Sequence, residues 1–152
     1  MNITNTNARI GAPSPRPSAT IATTQGVIRL FLEMGLAPIC EFNLANGRRA
    51  DVAAVDRKGK LVIAEVKSCK EDFVADEKWS SYLGFCDTFY FAGPEDFPFA
   101  LLPETEGVIA ADAYGAAVLR PAQTRPLSAA RRKATLLRFA RQAAMRSALS
   151  VQ

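Results

Sequence analysis

The chain contains no histidine. Ser-His-Asp and Cys-His triads and the His-based metal motifs of zinc hydrolases are therefore excluded. Acid, base or metal chemistry must use carboxylate, lysine, tyrosine, serine or cysteine groups. Cysteine is scarce: Cys40, Cys69 and Cys86 stand far apart with no CxxC pair. That argues against a disulfide framework or a zinc site and suits a reducing compartment. No apolar run nears the roughly 20 residues that cross a bilayer, so no membrane partner is expected. Residues 1–18 lack the apolar stretch of a secretory signal, which leads to a cytoplasmic expectation. Acidic residues are missing from one end only. Residues 121–152 hold seven Lys and Arg and no Asp or Glu, whereas residues 1–120 hold 12 basic and 15 acidic groups. The net charge of +4 thus comes from the C-terminal segment, and an acid-free basic end suggests a polyanionic partner.

What is present is a globular composition. With 152 residues, 49% of them hydrophobic and 22% charged, the chain is of single-domain size and able to bury a core. Residues 1–18, rich in Asn, Thr, Ser and Pro, read as a mobile arm. Apolar periodicity predicts a helix over 19–34, closed by Gly35. A hairpin follows, with strands at 39–44 and 49–55 joined at Asn46-Gly47. After a turn at 56–59 comes a strand at 61–67, apolar at four consecutive positions and so expected to be buried on both faces. A helix is expected over 70–86, a strand over 88–92 and a short helical turn over 97–102. Two further strands follow at 107–111 and 116–120. Residues 121–126 read as a linker, and Ser128 caps a last helix over 129–149. This order gives an α/β fold with mixed strand directions, in which 19–120 form the domain and 121–152 a linker and basic helix packed on it.

Glu65 is the anomaly in this pattern. A carboxylate in a central apolar strand is costly unless it has a partner or a metal ion. Lys67, two residues on, projects to the same face, with Cα atoms about 6.5 Å apart. If 49–55 and 61–67 form a hairpin, Asp51 falls beside Glu65 or Lys67. Two carboxylates then meet next to an ammonium, a set suited to Mg²⁺, which takes one or two carboxylates and keeps several waters. The acid-x-Lys pattern also occurs at Asp56-Arg57-Lys58 and Asp76-Glu77-Lys78. The first of these lies in a turn. The second lies on the expected helix, where i and i+2 diverge. A buried Glu–Lys pair without chemistry is the plainer alternative.

These residues resemble a known arrangement. Asp51, thirteen intervening residues and then Glu65-Val66-Lys67, behind a helix and a hairpin, is similar to the PD-(D/E)XK nuclease superfamily. The longer string resembles the MmcB family of bacterial DNA repair proteins: Gly47-Arg48-Arg49-Ala50-Asp51-Val52, Glu65-Val66-Lys67-Ser68, Glu71-Asp72-Phe73, Asp76-Glu77-Lys78-Trp79, Tyr82 and Cys86-Asp87. The resemblance implies a restriction-endonuclease-like three-layer core with a central mixed β-sheet, and a place in the DNA-damage response. It implies Asp51 and Glu65 as ligands of Mg²⁺ or Mn²⁺, the Val66 carbonyl as a third ligand and Lys67 as the catalytic lysine. Many relatives in the superfamily carry a glutamate in the first helix, where this chain has Thr24 and Gln25. Gln25, and Glu41 on the first strand, are candidates for that supporting role, and Asp72 and Lys78 for one on the helix after the motif.

The charge pattern adds a second surface. Arg131, Arg132, Arg138, Arg141 and Arg146 fall on one arc of the last helix, and arginine's fork suits phosphate. Arg131, Arg132, Arg138 and Arg141, with Arg48 and Arg49 beside the hairpin turn, are the expected DNA contacts. Plain packing and a membrane-surface helix are the alternatives for the arc. The expected function is metal-dependent hydrolysis of DNA phosphodiester bonds in repair, with the protein in the bacterial cytoplasm and on the nucleoid when DNA-bound. The alternative is a catalytically weak or inactive DNA-binding module that recruits or positions another repair protein.

Overall fold

A computed structural model describes residues 15–151. Its elements are α1 (Pro15–Glu33), β1 (Ala37–Asn43), β2 (Arg49–Val55), β3 (Leu61–Val66), α2 (Lys70–Ala75), a 3-10 helix (Trp79–Phe85), β4 (Thr88–Gly93), a 3-10 turn (Phe99–Leu101), β5 (Gly107–Ala111), β6 (Ala116–Arg120) and α3 (Ala129–Leu149). The six strands form one sheet in sequence order. β2 runs antiparallel to both its neighbours, β1 and β3, while β3, β4 and β5 run parallel and β6 returns antiparallel. The sheet is therefore mixed, as the strand pattern implies.

Burial explains why β3 is apolar at every position but Glu65. All six of its residues are buried, and alternate side chains feed two different cores. Val62, Ala64 and Val66 pack with Val27 and Phe31 of α1. Leu61 and Ile63 pack on the other face with Tyr82, Phe85, Phe89 and Phe91, and with Leu136 and Phe139 of α3. By the same alternation Glu65 points to the second face, away from α1. The first core depends on a close approach. A Cβ on Gly26 would lie 2.2 Å from the Asp112 carbonyl oxygen and 2.5 Å from that of Gly115, so glycine lets α1 settle onto the β5–β6 turn.

Most boundaries fall within two residues of the sequence expectation, and two elements depart further. α1 begins at Pro15 rather than near residue 19, in keeping with proline's suitability for a first helical turn. Residues 1–14 of the expected arm lie outside the described residues. The expected helix over 70–86 is two pieces. Asp76 Oδ1 accepts the Lys78 backbone N–H at 3.0 Å, a local bond that competes with helix continuation at the junction.

The C-terminal segment is pinned to the sheet by a buried carboxylate. Asp87 accepts the Leu61 N–H at 2.8 Å and the Leu127 N–H at 3.0 Å, and receives both arms of the Arg132 fork at 2.7 and 2.6 Å. Arg132 also donates to the Gly59 carbonyl at 2.9 Å. Its guanidinium, an expected DNA contact, is thereby held by Asp87 and the Gly59 carbonyl. Further along α3, Gln142 exchanges two hydrogen bonds with the Asn43 backbone, at 2.9 and 2.7 Å. Arg146 donates to the Cys40 and Glu41 carbonyls. The helix thus caps the open edge of β1, which would otherwise present unpaired backbone groups. Among the described residues no helix is long and apolar enough to cross a membrane.

The Asp87 clamp has a measurable pH signature. Burial would raise its pKa, but the Arg132 and backbone hydrogen bonds outweigh burial and hold it down to about 2, against an ordinary 3.8. The stabilisation is present above pH 4 and is lost as pH falls towards 2. Asp87→Asn should therefore cost about 2 kcal/mol in urea unfolding at pH 7. The gap between variant and wild type should close between pH 4 and pH 2.

Candidate active site

The carboxylates meet where the β2–β3 ladder stops. Backbone pairing runs from Val55↔Leu61 to Val52↔Ala64. The next pair in register would be Asp51 and Glu65, and there side chains replace the ladder. Glu65 Oε1 accepts the Asp51 N–H at 2.9 Å, and Asp51 Oδ2 accepts the Val66 N–H at 2.8 Å. Each carboxylate satisfies a backbone donor that strand separation would leave unpaired. On the other side of Asp51, β1 is also disturbed. Pairing skips from Cys40↔Val52 to Phe42↔Ala50, and the intervening Glu41 has φ of 52°. A non-glycine residue in that region breaks side-chain alternation. Ile39 and Phe42, three residues apart, consequently pack in the same core.

Electrostatics at the pair follow from this confinement. Glu65 is 5% exposed and Lys67 8% exposed. Burial first, and the neighbouring Asp51 charge second, push the Glu65 carboxyl up to about 8. Burial also raises Asp51, against the opposing pull of the Val66 N–H and the Lys67 ammonium. Lys67 Nζ donates to Asp76 Oδ2 at 2.7 Å. Burial of Asp76 acts to raise its pKa, but the bonds from Lys67 and the Lys78 backbone win, and it is lowered. Tyr82 donates its hydroxyl proton to the Arg49 carbonyl at 3.0 Å, two residues before Asp51. The Arg48 guanidinium stands 6.0 Å from the Tyr82 ring centre.

Asp51, Glu65 and Lys67 are thus brought together, with the Val66 N–H inside the same hydrogen-bond set. The supporting candidates fare differently. Gln25 is exposed on α1, which covers the opposite face of the sheet, so it does not join the pair. Glu41 is exposed, 3.9 Å from the Arg49 guanidinium. Asp72 accepts the Ser68 N–H at 3.1 Å and the Ser68 hydroxyl, and so holds the start of α2. The Lys78 side chain is exposed, and its backbone, not its ammonium, reaches Asp76. Arg48 is half-buried beside Tyr82, whereas Arg49, Arg131, Arg138 and Arg141 are exposed.

Two site residues escape the sequence reading. Asp76 reaches Lys67, although spacing points to Asp72 or Lys78. Its signal is an aspartate at a helix break, visible only once the helix is known to end. Tyr82 reads as a packing aromatic, and its polar tip finds a partner only through the tertiary fold. The donor set fits a hard cation. Burial raises both carboxyls, and the Asp51 charge adds to the rise at Glu65; a shared cation would relieve that cost, and Mg²⁺ accepts one or two carboxylates with waters completing its shell. Among the described residues no cluster of three or more His, Cys, Asp or Glu could hold a metal ion.

Comparison with known proteins adds a family. The family model described as "DNA repair protein MmcB-like" matches residues 9–152. A solved structure, titled a SPO1766 protein of unknown function from Silicibacter pomeroyi, is 39% identical with a TM-score of 0.81. The match covers 84% of this chain and 88% of that one. No curated protein matches the chain.

The raised Glu65 carboxyl yields a stability test with a definite sign. Its folded pKa, about 8, lies above the ordinary 4.5, so the folded state holds a proton that the unfolded state releases. Without metal, stability contributed by this group falls as pH rises from about 4.5 towards 8. Glu65→Gln keeps an oxygen for the Asp51 N–H and removes that loss. The variant should melt several degrees higher than wild type at pH 8 in EDTA. Excess Mg²⁺ should raise the wild-type Tm at pH 8 and leave the variant's unchanged.

Proposed function

The chain belongs to the MmcB-like family of DNA repair proteins, and from that premise we propose that it cleaves DNA phosphodiester bonds with a divalent cation held by Asp51 and Glu65. The observation that carries this reading is the strand separation at Asp51/Glu65, which gathers two carboxylates beside a buried lysine. The mixed sheet with helices on both faces is consistent with a restriction-endonuclease-like core of the PD-(D/E)XK kind. In this reading Asp51, Glu65 and the Val66 carbonyl hold Mg²⁺ or Mn²⁺. The bound ion would supply a Lewis acid that polarises a phosphate oxygen and lowers the pKa of a water.

The chain's own groups do the rest. Lys67 places a fixed positive charge beside the carboxylates, where negative charge builds on the phosphate during attack. Asp76, 2.7 Å away, limits the ammonium's rotamers and so keeps that charge in place. Tyr82 and Arg48 fix the backbone that enters β2, since the tyrosine hydroxyl holds the Arg49 carbonyl. A second reading, a DNA-binding module that recruits or positions a repair partner, draws on two observations. Lys67 is already ion-paired with Asp76, and Gln25 lies across the sheet from the site.

One assay separates the readings. Purified protein with Mg²⁺ or Mn²⁺ is offered labelled duplex, nicked, flap, mismatched and single-stranded DNA. Cleavage of at least one substrate is expected, and Lys67→Met should slow it by about 100-fold or more while DNA binding is retained. Asp76→Asn removes the ion pair but keeps an oxygen for the Lys78 N–H. It should lower kcat by about 10-fold with little change in KM, because it loosens Lys67 without touching DNA. DNA binding with no cleavage of any substrate by either metal form would favour the recruiting module.

A further inference from the structure

The hairpin turn between β1 and β2 faces α3 across a groove that the catalytic reading does not use. The groove, a cavity of about 430 Å³, is walled by Ala45, Asn46, Arg131 and Arg138, and Phe85 lies at its base. A second depression of about 330 Å³ continues it along α3. The two share Ala134 and Arg138, and the second adds Leu137 and Arg141. No acidic residue lines either part. Arg138 and Arg141 are exposed and make no hydrogen bond or ion pair among the described residues. Arg131 is held at the mouth, its guanidinium 4.4 Å from the Phe85 ring centre and one nitrogen 3.3 Å from the Gly84 carbonyl oxygen, with donors left over.

We propose that this groove binds the sugar–phosphate backbone of a single DNA strand, with Arg131, Arg138 and Arg141 as its phosphate contacts. The inference deepens the DNA-cleaving reading and names the kind of strand that approaches the site. From Arg131 to Arg141 the helix rises about 15 Å, room for several successive phosphates. Apolar surface runs beside the arginines, with Ala134 and the 59%-exposed Leu137 along the same wall. An unpaired strand offers sugars and base faces to such surface, whereas a duplex offers chiefly phosphates. Phe85 is only 9% exposed and already lies under Arg131, so it is no stacking platform, and the groove reads backbone rather than sequence. The groove also belongs to the elements that hold the carboxylate pair. Asn46 at its rim precedes Arg48 by two residues, and Phe85 closes the same 3-10 helix that carries Tyr82.

The test is fluorescence anisotropy of the full chain with a labelled oligothymidylate in EDTA. It needs neither metal nor cleavage, so its outcome is independent of whether Asp51 and Glu65 support hydrolysis. The wild type should bind the single strand more tightly than a duplex of equal length. The double variant Arg138→Gln, Arg141→Gln should bind at least 10-fold more weakly, with a log–log salt slope shallower by about 1.4. Glutamine keeps the helix, which far-UV circular dichroism checks. Arg138→Lys, Arg141→Lys should restore most of the slope, and Arg29→Gln, on the far helix α1, should change nothing. An unaltered affinity and slope in the glutamine variant would overturn the proposal. So would tighter binding to duplex than to single strand, or binding to phosphatidylglycerol vesicles in place of the oligonucleotide.

Discussion

Just beyond the last β2–β3 pair, two backbone N–H groups, those of Asp51 and Val66, donate to carboxylates. Much of the site's character follows from that arrangement. An apolar pair at these positions would leave both donors unsatisfied in a poorly solvated region, at a cost of about 1–3 kcal/mol each. With Asp51 and Glu65 there, the donors are satisfied, but two carboxyls are buried together: burial raises both pKa values, and the Asp51 charge raises Glu65 further, so that Glu65 keeps its proton near neutral pH. In the proposed reading, a bound cation would offset the cost of burying the two carboxyls together. Lys67 offsets part of that cost, while Asp76 draws the same ammonium the other way.

A second constraint is the attachment of α3. Asp87 precedes β4, and its carboxylate links β3, the 121–128 segment and α3 through four hydrogen bonds from three residues. Glu106 repeats the device before β5. It is 2% exposed and accepts two hydrogen bonds from Arg125, at 3.1 and 2.8 Å. The basic C-terminal segment is therefore divided by function. Arg125, Arg132 and Arg146 are committed to acidic or carbonyl partners, while Arg138 and Arg141 remain facing solvent. The positive surface is set by which arginines the fold leaves uncommitted rather than by their total number.

Much of this was legible in local sequence. The Asp56–Gly59 turn sets the β2–β3 register, so the meeting of Asp51 with Glu65 follows from counting residues out from that turn. Ser128 accepts the Arg131 N–H at 3.2 Å, as a serine before an apolar-periodic run suggests. The features that were not legible depend on partners distant in sequence. A helical wheel puts Arg132 on the same arc as Arg138, and only the fold brings Asp87, 45 residues earlier, beneath it. The break at Asp76 depends on Lys67 and Lys78 competing with the helix for one carboxylate. The left-handed Glu41 has no signature at all, since glutamate is not a residue that spacing arguments place there.

The central claim is that Asp51 and Glu65 form a cation site built from strand separation. Its most direct test is a crystal structure of the protein with Mn²⁺, phased for anomalous scattering. The account expects one strong anomalous peak within coordination distance of carboxylate oxygens from both Asp51 and Glu65, with Lys67 nearby. A peak bound by neither carboxylate, or none at a concentration of Mn²⁺ that supports catalysis, would contradict it.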